Sequence, residues 1–207
     1  LVSPWDSEGD ELDEVGLFPK NEWHRSVKTC WNISEEAASE QLEVFIQNGL
    51  TDYMERRNFP AEQGVSRLSP YLHFGQISPH KVWHRVECEV DRTSKDVNQN
   101  IEHFFRELGW REFSYYLLYH SPDLPNRNLQ PRFDEFPWVK VSPHLEAWQK
   151  GLTGYPLIDA GMRELWQTGY MHNRVRMVVA SFLVKNLLVH WKCGADWFWD
   201  CLVDADL

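Results

Sequence analysis

Three observations in the sequence predict an all-α fold. Apolar residues recur at the three- and four-residue spacing of a helix face, as in Ala37, Ala38, Leu42, Phe45, Ile46 and Leu50. Capping residues stand where such runs begin. No segment shows the strict alternation of a half-buried strand, and none repeats.

Residues 1–22 are acidic, carry Pro and Gly, and lack a sustained apolar period, so they read as a linker. Residues 23–207 read as one helical domain, a length sufficient for a core of its own. Its first clear helix starts at Ser34, an N-cap followed by Glu35 and Glu36, whose charges suit the positive end of the helix dipole. Residues 58–90 predict a turn, a short helix, a break at Gly75, and a second helix capped by Ser78 with Pro79 in its first turn. Residues 100–119 predict a long helix, and the Pro- and Asn-rich stretch 121–143 an ordered loop. Two further helices are expected over 144–167 and 170–191, divided by Thr168 and Gly169.

The formal net charge of −10 excludes a generally basic nucleic-acid binder. Its distribution leaves room for a local basic patch. Residues 1–60 hold 13 acidic and 5 basic side chains, against 18 and 16 in the remainder. The 11 Trp residues suit either a large aromatic core or stacking surfaces for a flat ligand. Four widely spaced Cys without a C-x-x-C pair exclude a disulfide framework or zinc knuckle. With no apolar run of about 18 residues and no signal-peptide layout, a cytoplasmic protein is expected, nucleoid-associated if bacterial. In that compartment the sequon Asn32-Ile33-Ser34 carries no glycan.

Four constellations carry candidate chemistry. Ser66 and Ser69 bracket Arg67 at a helix start, where hydroxyls and free N–H groups suit an anion such as a diphosphate; an ordinary N-cap has the same appearance. Glu107, Trp110, Arg111 and Phe104 share two helical turns. Glu107 and Arg111 are spaced as a routine i,i+4 ion pair, while an acid beside an indole also suits a nucleobase edge. His80 and His84 lie on one helix face, but a metal site needs a third ligand. Finally, "MHNRVRMVVASFL" opens an apolar helix with a polar cluster. Asn173 and Met177 share a face, Arg174 lies about 100° round, and Asp204 is a candidate partner for Arg174.

The stretches "SRLSPYLHFGQISP", "ELGWREFSYYLL", "FPW", "AWQKGLTGYPLIDAGMRELWQTGYMHNRVRMVVASFLVKNLL" and "WFWDCLVDADL" follow one another through most of residues 40–207. Together they resemble the FAD-binding helical domain of the DNA photolyase/cryptochrome family, with bacterial enzymes for cyclobutane pyrimidine dimers the nearest type. The resemblance implies a domain truncated at both ends. The N-terminal antenna domain, with its folate or deazaflavin chromophore, is expected to be missing, as is the C-terminal part with the innermost relay tryptophan and the residue facing flavin N5. A monomer acting on DNA that contains pyrimidine dimers is implied.

Position by position, the resemblance implies that Tyr53 reaches the FAD phosphates and that Val65, Ser66, Arg67, Leu68 and Ser69 form the phosphate-holding loop. Val65 departs from the Thr of many relatives and removes one hydroxyl. Arg111 is implied to contact the cofactor, Arg174 with Asp204 to pair beside the isoalloxazine, and Ala205 and Asp206 to line the ring. On the DNA side, Glu107 would hydrogen-bond the damaged bases, Trp110 pack on them, Asn173, Arg174 and Met177 lie near the lesion, and Arg57 contact a phosphate. Phe104 stands where several relatives have a second tryptophan, which alters stacking there. Trp138 and Trp191 match the outer and middle members of a tryptophan chain that photoreduces the flavin. The implied chemistry is electron transfer from excited reduced FAD to the flipped-out dimer, with return of the electron after ring splitting. Plant cryptochromes, which the chain also resembles, replace Glu107 and Trp110 and carry Asp for Asn173. The competing expectations are therefore a repair enzyme, a blue-light receptor that binds FAD without repair, and a helical interaction domain without cofactor.

Overall fold

A computed structural model of the chain describes Gly16 and residues 24–89, 95–139 and 143–206. The expected linker over 1–22 lies almost wholly outside the described residues. Among the described residues ten α-helices follow in order: α1 (Arg25–Cys30), α2 (Glu35–Asn48), α3 (Tyr53–Arg56), α4 (Ser69–His73), α5 (Pro79–Glu89), α6 (Lys95–His120), α7 (Pro143–Gln149), α8 (Pro156–Thr168), α9 (Asn173–Ser181) and α10 (Trp191–Cys201). Among the described residues no strand forms. A single parallel bridge joins Val139 to Val189.

The predicted caps form. Ser34 Oγ accepts the Ala37 N–H at 3.0 Å, and Ser78 Oγ accepts the Lys81 N–H at 3.1 Å. The expected helix over 144–167 is instead two helices. Gly151 and Gly154, at φ of +62° and +84°, turn the chain between them, and Asp159 of α8 holds that turn through the N–H groups of Thr153 and Gly154. The expected helix over 170–191 begins only at Asn173. It passes into a π turn over Phe182–Asn186, and a separate helix starts at Trp191. His172 and His190 cap the two starts through Nδ1.

Apolar packing divides into two cores. The first draws Leu42, Phe45, Leu50, Val82, Ile101 and Phe104 from α2 to α6. The second gathers Met162, Leu165, Val175, Val179 and Leu183 around Trp148, whose indole N–H donates to Val179 O at 3.0 Å. Each such buried side chain contributes about 1.5–3 kcal/mol. Trp31 ties the halves together: it packs on the first core and donates its indole N–H to Thr168 O, at the end of α8. Val203 N donates to Gly169 O at 2.8 Å, which returns the chain after α10 to the same seam. The seam positions the site.

Candidate cofactor and nucleic-acid site

A pocket of about 320 Å³ lies where the two cores meet, with walls from α3, α4 and α6 on one side and residues 170–176 and 204–206 on the other. The short α3 is held against α6 by Asn100, whose side-chain oxygen accepts the Met54 N–H at 2.7 Å. That contact sets Tyr53 and Arg57 at the wall. Tyr53 packs edge-on against Phe45 and Phe104, and burial pushes its hydroxyl up to about 12.

The segment 65–69 lines the pocket as a unit. Gln41 fixes it by donating to Ser66 O at 2.9 Å, and Arg67 takes the left-handed backbone at φ +54°. The Arg67 guanidinium lies between two aromatic faces, 5.1 Å from the Trp31 ring and 4.8 Å from Tyr170. Tyr170, overlooked in the sequence, is thus a wall residue carrying a fixed cation. On α6, Arg111 Nη2 donates to Tyr115 Oη at 2.9 Å, and that hydroxyl donates in turn to Asp206 at 2.5 Å. The bond to Asp206, then burial, raises the Tyr115 pKa.

Asp204 does not pair with Arg174, as the sequence suggested. Its Oδ2 accepts from Arg176 Nη2 at 2.8 Å and from Ser69 Oγ at 2.5 Å. Arg174 turns away and donates to Asn58 at 3.0 Å. Helix geometry explains the choice: three residues of rotation bring Arg176 to within about 60° of Asn173, whereas Arg174 lies about 100° off. That periodicity was available in the sequence. Ala205 lies between Asp204 and Asp206, outside the pocket wall.

Glu107 pairs with neither Arg111 nor solvent alone. Its Oε1 accepts from Arg57 Nη1 at 2.5 Å, across fifty residues of chain. Arg57 is only 8% exposed, so its guanidinium is committed to Glu107 and not displayed as a surface phosphate contact. Burial opposes its charge, but the Glu107 bond and the nearby anionic groups raise its pKa. Asn173 also lines the pocket, while Trp110 and Met177 stand outside the wall, 62% and 56% exposed. Flat and soft apolar groups therefore lie outside a polar interior.

Trp138 and Trp191 lie away from the pocket, joined through His190, with ring centroids 5.3 and 5.4 Å from the imidazole. The Trp191 indole donates to Asn128 at 2.6 Å. His80 and His84 gain no partners for a metal, since no group of three suitable side chains occurs among the described residues. Likewise, no described helix is long and apolar enough to cross a membrane.

Residues 104–207 match the family described as the FAD binding domain of DNA photolyase. The chain belongs to this family. The deoxyribodipyrimidine photo-lyase of Agrobacterium fabrum is 46% identical over 199 residues, covering 95% of this chain and 41% of that photolyase. Cryptochrome-2 of Arabidopsis thaliana is 40% identical over 202 residues, covering 95% of this chain and 33% of the cryptochrome. A bacterial class III photolyase structure from Agrobacterium tumefaciens superposes with a TM-score of 0.88 at 44% identity, over 97% of this chain and 41% of that one. The chain thus spans about two fifths of its photolyase relatives, and its helical fold is that of their FAD-binding domain.

Proposed function

We propose that the chain is the flavin-holding part of a light-driven DNA repair enzyme that splits cyclobutane pyrimidine dimers. The observation that carries this reading is the layered site. A polar pocket lined by Glu107 and Asn173 lies at the seam of two cores, while Trp110, three residues after Glu107 on α6, and Met177, four after Asn173 on α9, stand exposed outside its wall.

The residues present fit FAD. Arg67 and Arg111 supply fixed positive charge for a diphosphate, and Ser66 adds a hydroxyl. Asp204 Oδ1 and His172 Nε2, on residues that line the pocket, are buried without partners, an acceptor and a donor left for a ligand. When bound, reduced FAD supplies an excited-state electron for the dimer and takes it back after the ring opens. The protein's part is placement and charge. Trp110 offers a face for a flipped base, and Asn173 offers an amide to its edge. Glu107, oriented by Arg57, presents a carboxyl oxygen that accepts an N–H from the edge of a flipped pyrimidine. The (Arg57)–(Glu107) pair also keeps a cation within reach of the negative charge that develops on the dimer.

Irradiating the protein with reduced FAD and dimer-containing DNA tests the proposal, and loss of dimers only in the light is expected. No loss, with bound reduced FAD confirmed, overturns it. The 40% identity to a plant cryptochrome then favours the second reading, a blue-light receptor without repair.

A further inference from the structure

His172 closes the loop before α9 and is 4% exposed. Its Nδ1 accepts the Arg174 N–H at 3.2 Å, so in the neutral ring the proton resides on Nε2. Burial, followed by the charges of Arg174, Arg57 and Arg176, lowers its pKa and keeps the ring neutral. Nε2–H is then a donor of fixed direction. It is buried and has no partner, and His172 is among the residues that line the pocket.

The wall carries one complementary orphan, Asp204 Oδ1, since Oδ2 is satisfied by Ser69 and Arg176. Arg176 links the two: its backbone N–H donates to His172 O at 3.0 Å and its side chain reaches Asp204. A phosphate accepts but does not donate, so it would satisfy His172 and oppose the Asp204 carboxylate. An ammonium would do the reverse. A nitrogen heterocycle offers both an acceptor and an N–H.

We infer that His172 is a cofactor-binding residue, its Nε2–H donating to a heterocycle acceptor of the flavin nucleotide while Asp204 Oδ1 takes an N–H of the same molecule. This rests on the flavin reading above. His172 thereby has two duties on two nitrogens: Nδ1 caps α9 and Nε2 reads the ligand.

Asn at position 172 separates the duties, because its side-chain oxygen can still cap α9 while the Nε2 donor is lost. In the holoprotein, His172→Asn is expected to weaken FAD binding roughly three- to tenfold, with an unchanged melting temperature of the ligand-free protein. If the acceptor is on the isoalloxazine, FMN binding falls equally and a flavin carbonyl stretch moves to higher frequency. If it is on the adenine, only FAD binding falls and the carbonyl bands stay. In the wild type, the His172 Nε2–H resonance should move downfield when FAD is added, a reading independent of how the variant folds. Unchanged FAD affinity in a folded His172→Asn protein, or an unmoved resonance with FAD bound, overturns the inference alone. A wild type that takes up no FAD overturns the flavin reading and this inference with it.

Discussion

Arg176 and Asp204 are joined at 2.8 Å, with the Asp204 side chain 2% exposed and also accepting from Ser69. Removing one member of such a buried pair leaves an uncompensated charge, at a cost of about 3 kcal/mol. Arg176→Ala is therefore expected to lower stability by about that amount and to reduce FAD content. Arg174→Ala, which loses its contact to Asn58, should cost under about 1 kcal/mol. Urea unfolding of the two variants checks the contrast, and equal losses would contradict the assignment.

Glu107→Ala should reduce repair per bound reduced flavin. The lost hydrogen bond is one that an ion-paired carboxylate accepts from the base, worth roughly 1.5–3 kcal/mol. The same change strips the buried Arg57 of its partner, so some stability is lost as well. Glu107→Gln keeps an acceptor for Arg57 and separates the effects: stability near wild type, repair still reduced. Quantum yields per flavin in both variants are the measurement, and an unchanged yield would remove Glu107 from the site.

In the full-length protein, Trp191→Phe should slow photoreduction of oxidised FAD while repair by already reduced protein stays near wild type. The ring packs on His190, which also meets Trp138, and it does not line the pocket that holds Glu107. Transient absorption after blue excitation reads the rate. An unchanged rate would direct attention to the stacked pair Trp166 and Trp197, whose centroids are 5.9 Å apart.

Gly169→Ala should destabilise the fold by about 1–3 kcal/mol. The residue closes α8 at φ +67°, and an added Cβ would stand 2.6 Å from Val203 Cγ1. Because Val203 belongs to the segment that carries Asp204, FAD affinity should fall together with the melting temperature.

Asp159 gives a pH signature. Burial alone would raise its pKa, but hydrogen bonds from the Thr153 hydroxyl and N–H and the Gly154 N–H outweigh burial and hold it below the ordinary 3.8. Its stabilising contribution is complete above that unfolded value and disappears as the pH falls through the lower folded one. Asp159→Asn should therefore be less stable than the wild type near neutrality. The gap should narrow on acidification below about pH 4. Denaturant titrations across that range test it.

What the sequence revealed was local. Helix faces and caps at Ser34 and Ser78 were legible because they depend on neighbours three or four residues away. The break at Gly151 and Gly154 was visible as glycines before Pro156 but was outweighed by the apolar period on either side. Some site residues, such as Ser66, Glu107 and Asn173, stood out from their own motifs and others came from resemblance, but their pairing did not follow. Arg57 with Glu107, and Ser69 with Asp204, meet across 50 and 135 residues. Only the docking of helices decides such partners. Arg176 was different, since helical rotation from Asn173 alone favoured it over Arg174.

Two separate apolar cores with a polar pocket between them have a thermodynamic consequence. Burial of greasy surface stabilises each half within itself, so the joint depends on Trp31, on polar bonds such as Ser69–Asp204, Tyr115–Asp206 and Arg174–Asn58, and on whatever occupies the pocket. A molecule that touches both walls acts as a clamp. At a hundredfold excess over its dissociation constant it adds about 2.7 kcal/mol to folding, provided it ignores the unfolded chain. Amide hydrogens in α4, α9 and the 202–206 segment should then exchange much faster when the clamp is withdrawn, while those around Trp148 and Leu42 keep their protection.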